Sequence, residues 1–175
     1  MDCTATIDQI VRSYSDMLYR LALAKTGNSH DAQDVMQEVF LKLMRYESSG
    51  KTFNDEEHRK AWLIRVATNV GVNVSRSSFK RGYVGEFNDE LDSTEYTGED
   101  ESISQLETKT VVYPAVMSLP EKYRVIIHLF YYEDMQISDI CKATGLGTNT
   151  VKSRLHRARE KLREKLKEVD FDGEF

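Results

Sequence analysis

The chain has 175 residues, a formal net charge of −5, 30% charged residues and 40% hydrophobic residues. That length suits one medium domain or two small ones, and the composition excludes collagen-like, low-complexity and wholly disordered chains. No apolar run approaches the roughly 18 residues of a membrane span, and the start carries no basic and apolar leader. Cys3 and Cys141 are too few for a disulfide or zinc framework, so a cytoplasmic protein with reduced thiols and no membrane insertion is expected.

Ile7, Ile10, Val11, Tyr14, Leu18 and Leu21 recur at three- and four-residue steps. Residues 7–26 therefore read as an amphipathic helix, stopped by Gly27 and Asn28. The stretch from Asn28 to Asp34 supplies N-cap residues and first-turn acids. Ala32, Val35, Met36, Val39, Phe40 and Leu43 then give a second helix its buried face. The opposite face stacks Asp31, Asp34, Glu38 and Leu41, an acidic stripe ending in an outward leucine. Solvation alone explains the acids; the leucine points to a protein partner.

A third helix is expected over about 55–78, with Leu63, Val66, Ala67, Val70 and Val74 inward. Val70, Val72 and Val74 also alternate as a strand would, but the run from Glu56 to Ala61 favours a helix start. Its other face reads Trp62, Arg65, Asn69, Asn73 and Arg76. Amides and guanidiniums suit base edges and phosphates, and an aromatic ring suits an unstacked base. Trp62 taken alone reads as core.

Residues 82–108 hold nine acids and no lysine or arginine, while 1–81 and 109–175 each hold 12 basic and 10 acidic residues. The acidity therefore sits in one block between two weakly basic lobes. The block lacks helical periodicity and is rich in Gly, Ser, Thr and Asp, so it reads as a flexible linker. Such a linker spans roughly 30 Å as a coil and about 90 Å when extended.

The second lobe opens on Ser118 to Arg124, with Pro120 at the first helical position. Tyr123, Ile126, Ile127, Phe130 and Tyr131 form the expected buried face, and Glu133-Asp134 ends the helix. A short helix over 137–144 follows, with Ile137, Ile140 and Cys141 inward and Gly145 as a left-handed stop. A long helix from Thr148 carries Val151, Leu155, Ala158, Leu162 and Leu166 on one side. Asn149 to Lys167 holds eight basic and two acidic residues. A short helix, a glycine turn and a basic helix make a helix-turn-helix, whose second helix enters the DNA major groove. Asn149, Thr150, Lys152, Ser153, His156 and Arg157 lie outward near its start.

These segments together resemble a known family. The run from His30 to Leu43 (HDAQDVMQEVFLKL) resembles the core-polymerase-binding region of bacterial sigma factors. Ala61 to Asn69 (AWLIRVATN) resembles their promoter-melting region. Leu119 to Arg124 (LPEKYR) with Thr150 to Arg163 (TVKSRLHRAREKLR) resembles their C-terminal helix-turn-helix. The pattern is that of the extracytoplasmic-function (ECF) group of the sigma-70 family, which keeps only two domains.

The resemblance implies an all-α chain of two small helical domains. Residues 1–81 would form an N-terminal three- or four-helix bundle, 82–108 the acidic linker, and 109–175 the helix-turn-helix domain. It implies core RNA polymerase as partner, through the beta-prime clamp and the beta flap, with Asp31, Asp34, Gln37, Glu38 and Leu41 on the clamp interface. Phe53 and the loop from Asn54 to His58 would capture a flipped minus-ten base. Trp62, Arg65, Asn69, Asn73 and Arg76 would line the melted non-template strand. Thr148, Asn149, Thr150, Lys152, Ser153, Arg154, His156 and Arg157 would read the duplex minus-thirty-five element. The two elements lie about two helical turns apart, roughly 70 Å. The linker would run through the polymerase's RNA exit path, and an anti-sigma factor is a further expected partner.

Some positions depart from the family pattern: Asn73 where Asp is common, Ser77 and Ser78 for basic residues, Gly147 for a capping Ser, and Thr144 and Asn149 for Leu and Gly. They bear on the promoter sequence rather than the class. No nucleophile triad, Gly-rich phosphate loop or Cys/His metal spacing occurs, so no enzyme activity, cofactor or metal is expected. The alternative is a stand-alone helix-turn-helix regulator.

Overall fold

The computed structural model describes residues 6–80 and 111–168, with the backbone alone for 71–80. Those residues form helices and the connections between them, with no strand among them. The acidic linker over 82–108 lies outside them, as do the side chains of Asn73 and Arg76.

Helix α1 spans Ile7–Thr26, opened by a Thr6–Gln9 capping box and closed by Gly27 at φ 82°. The box satisfies two amides that a helix start leaves unpaired, and glycine takes the left-handed turn without a Cβ penalty. Helix α2 spans Ser29–Ser48 and is capped by Asn28, whose side chain accepts from the Asp31 amide. Helix α3 spans Glu56–Lys80, so the alternating valines near its centre lie on a helix and not a strand. Leu18, Leu21, Val35, Val39, Leu43, Leu63 and Ile64 are fully buried between the three. Each such side chain contributes about 1.5–3 kcal/mol of transfer free energy.

The second lobe has a helix before the one that opens at Ser118 to Arg124. Residues 111–117 are helical (α4), with Val112, Val116 and Met117 buried. Helix α5 spans Glu121–Ile127 and Pro120 is its N-cap, one position before the place expected from sequence. The chain continues as a π-helix over His128–Tyr132, and Asp134 takes φ 50° just beyond it. This widened turn places Tyr131 on the surface at 44% exposure, where the sequence pattern had it buried. Helix α6 spans Ile137–Thr144 and ends at Gly145, φ 73°. Helix α7 spans Thr148–Lys167, with Gly147 as an N-cap that offers no side-chain bond. Val151, Leu155, Ala158, Leu162 and Leu166 are its buried stripe.

The two lobes are packed together. One apolar core runs from Ile10 to Leu166, with α1 against α5 and α3 against α6. Across the seam, the Arg124 Nε donates to the Ala24 carbonyl at 2.8 Å, and Lys25 pairs with Glu121.

Candidate nucleic-acid and partner interfaces

Three surfaces collect the residues that sequence reasoning singled out. The first is the start of α7. Burial of Val151, Leu155 and Ala158 fixes the helix rotation, so Thr148, Asn149, Thr150, Lys152, Ser153, His156 and Arg157 are exposed and Arg154 is half-buried. Gly145 makes the turn, with its amide on the Cys141 carbonyl at 2.9 Å. Thr144 closes α6 onto the Ile140 carbonyl at 2.6 Å. Thr148 faces the Cys141 thiol at 3.8 Å and is the first helical residue. Burial pushes the Tyr123 phenol up, but its hydrogen bond to Arg157 and the charges of Lys122 and Arg157 outweigh that and bring it down. Arg157 lies beside the Tyr123 phenol and its side chain is exposed. Arg159 donates to the Tyr131 hydroxyl at 2.7 Å and lies over the Phe130 ring.

The second surface is the outer face of α2. Asp34 and Gln37 are exposed, Glu38 is half-exposed in a 3.2 Å pair with Lys42, and Leu41 is 46% exposed. Asp31 departs from the expected stripe. It is buried at the helix start, where the Asn28 side-chain amide donates to its carboxylate at 3.0 Å. Met44, one turn beyond Leu41, is 44% exposed and extends the apolar end of the stripe. Sequence reasoning passed over Met44, although its i+3 spacing from Leu41 marks it.

The third surface is the start of α3. Asp55 caps the helix by accepting from the His58 amide at 2.7 Å, and the Asn54 amide donates to His58 Nδ1 at 3.3 Å. Phe53 is buried at 5% exposure, stacked on Tyr46 at 4.8 Å and edge-on to Trp62 at 5.6 Å. Its ring forms the floor of this corner and is not itself offered to a base. His58, Arg65 and Asn69 are exposed and Trp62 is half-buried. Arg65 and Asn69 stand one turn apart on a common stripe. Buried Thr68, bonded to the Ile64 carbonyl at 3.0 Å, sits on the inner side.

A basic recognition helix on a helix-turn-helix, joined to a second helical lobe with an acidic and apolar outer face, defines a two-lobed DNA-binding protein with a protein partner. The Sigma-70 region 2 family matches residues 10–78, and the Sigma-70, region 4 family matches residues 112–162. The ECF RNA polymerase sigma factor SigL of Mycobacterium tuberculosis is 32% identical, over 89% of this chain and 86% of its own length. The ECF RNA polymerase sigma factor SigW of Bacillus subtilis is 29% identical, over 91% of this chain and 88% of its own. Among solved structures, the sigma factor RpoE of Bartonella quintana, crystallised with the anti-sigma factor NepR, shares the fold at TM-score 0.68. That likeness covers 94% of this chain and 98% of that one, at 22% identity. CnrH, solved with the cytosolic domain of CnrY, aligns at TM-score 0.58 over 94% of this chain and 89% of that one, at 21% identity. The chain belongs to the ECF group of sigma-70 RNA polymerase sigma factors. That family consists of transcription initiation factors and not of enzymes. No helix among the described residues is long and apolar enough to cross a membrane.

Proposed function

We propose that residues 1–81 bind core RNA polymerase and melt the minus-ten element, and that 109–175 read the minus-thirty-five element. The observation that carries this division is the outward pairing of Leu41 and Met44 beside Asp34 and Glu38 on α2. Half-exposed apolar side chains flanked by acids on one helix face suit a partner that covers the apolar pair and leaves a polar rim. Asp34, Gln37, Glu38 and Leu41 form the polymerase contact, and Asp31 supports it by holding the Asn28 cap of α2 through its amide and carboxylate. His58, Trp62, Arg65 and Asn69 face the melted strand, with Asn73 and Arg76 further along α3 and Phe53 beneath them. Asn149, Thr150, Lys152, Ser153, His156 and Arg157 meet the duplex, flanked by Thr148 and Arg154.

In this scheme the protein supplies specificity and the polymerase supplies chemistry. Flipping a minus-ten base costs a few kcal/mol, offset by stacking and edge hydrogen bonds in the corner formed by Asn54, His58 and Trp62. The protein works in the cytoplasm with its polymerase, and an anti-sigma partner of the kind that accompanies the structural relatives regulates it. In vitro transcription with bacterial core polymerase on a genomic promoter library tests the reading. The expected result is sigma-dependent initiation at sites sharing two spaced motifs. No initiation, together with tight duplex binding by the protein alone, would overturn it.

A further inference from the structure

The π-helix puts Tyr131 on the surface of the second lobe, and Arg159 of α7 is built onto it. Arg159 Nε donates to the Tyr131 hydroxyl at 2.7 Å. Its guanidinium lies 5.4 Å from the Phe130 ring centre and 5.6 Å from that of Tyr131. The two rings meet edge-on at 5.0 Å. Phe130 and Tyr131 thus form an aromatic bracket around one half-buried guanidinium. Widened turns of this kind often mark functional positions in helices.

Packing accounts for part of the contact, because the bracket joins α7 to the turn before α6. It does not account for the charge. A phenol and two rings hold a guanidinium without neutralising it. Glu160, next in sequence, pairs instead with His156 at 3.4 Å. Among the described residues no carboxylate pairs with Arg159, and Nη1 and Nη2 have no hydrogen-bond partner. The free edge of a rigid fork is left, the geometry that a phosphate accepts. Lys152, His156, Arg159 and Arg163 recur along α7 at steps of four, three and four, which makes one stripe. Lys152, His156 and Arg163 are exposed. Lys152 and His156 belong to the DNA-facing surface, so the stripe carries that surface on past the start of the helix.

Resting on the sigma-factor reading, we propose that Arg159, positioned by Tyr131, clamps one DNA phosphate beside the minus-thirty-five element. Such a contact sets the register of α7 on the duplex and reads no base. An ordinary surface arginine loses rotamer freedom when it takes up a phosphate. Here the Tyr131 hydroxyl and the two rings have removed that freedom in the free chain. An acidic protein segment is the other anion that such a fork accepts. Continuity with Lys152 and His156 favours the phosphate.

The test uses holoenzyme reconstituted from core polymerase and the full chain, titrated with promoter duplex over a series of salt concentrations. Arg159→Met keeps bulk over the rings and removes charge and donors. Binding is expected to weaken about tenfold, alike on the promoter and on a duplex with a scrambled minus-thirty-five element. The slope of log K against log salt should become shallower by about 0.9. Tyr131→Phe keeps the ring and the arginine's charge but removes the acceptor. It should bind about threefold more weakly with the wild-type slope. A single neutral methylphosphonate, walked across the flank of the element, then locates the contact. At one position it should weaken wild type about tenfold and Arg159→Met not at all. Arg159→Gln is a second neutral variant, and it decides the matter should Arg159→Met melt too low to reconstitute. A lowered melting temperature with unchanged slope and no shared phosphate position overturns the clamp in favour of packing. Weaker binding to core polymerase with unaltered DNA affinity overturns it in favour of an acidic protein segment. A wild-type chain that forms no holoenzyme would instead overturn the functional reading, while the same salt series on the free chain with duplex still judges Arg159.

Discussion

Removing the exposed apolar pair on α2 gives the sharpest test of the polymerase interface. Leu41 and Met44 keep 46% and 44% of their surface in water. Full burial of such a side chain contributes about 1.5–3 kcal/mol, so covering the remaining half contributes about 0.7–1.4 kcal/mol each. The double variant Leu41→Ala, Met44→Ala should then lose about 1.4–2.7 kcal/mol of binding, a weakening of about tenfold to a hundredfold. Neither residue belongs to the buried core cluster, so the folded state should lose little. The assay is fluorescence anisotropy of labelled protein titrated with core polymerase at fixed salt, paired with a thermal melt. An unchanged dissociation constant with an intact fold would refute the assignment of this face. A melting point lowered by many degrees would refute the claim that these side chains lie outside the core.

Three further variants have expected outcomes. Asp34→Arg should weaken core association while leaving duplex binding by the second lobe intact, checked by co-purification and by gel shift on minus-thirty-five DNA. Arg157→Ala should weaken minus-thirty-five binding by about 1–3 kcal/mol in a footprint titration. The same variant should raise the ionisation midpoint of Tyr123 in a spectrophotometric titration, because burial is then opposed by Lys122 alone. Gly145→Ala should destabilise the second lobe by about 1–2 kcal/mol in denaturant unfolding. Its φ of 73° is the cause there, since a Cβ would meet nothing within 4 Å.

Local signals were the readable part of this fold. The bounds of α1, α6 and the start of α7 follow from caps, glycine stops and apolar spacing, all of which act within a few residues. The exposed start of α7 and the outer face of α2 from Asp34 to Leu41 follow from the same periodicity. Helix α4 escaped because Pro114 interrupts a short stretch next to the linker, although Val112 and Val116 keep helical spacing. Asp31, set outward by periodicity, and Phe53, set at the site by family position, are each drawn inward by a neighbour: Asn28 through a side-chain amide, and Tyr46 through ring stacking. The seam had no sequence signature at all. Arg124 meets a backbone carbonyl 100 positions away, and any residue type can present a carbonyl.

The π-helix over His128–Tyr132 stores one residue of slack between the first helix of the second lobe and the reading head. Each residue in an α-helix turns the chain by about 100°. A π turn closes with one residue more than an α turn, so a single deletion within 128–132 that let the ladder revert to α spacing would leave whatever follows at nearly the same rotation about the axis. A deletion in the regular α-helix before it has no such slack and would swing the chain by the full step. The orientation of the DNA-facing helix is therefore buffered by a five-residue segment that touches no base.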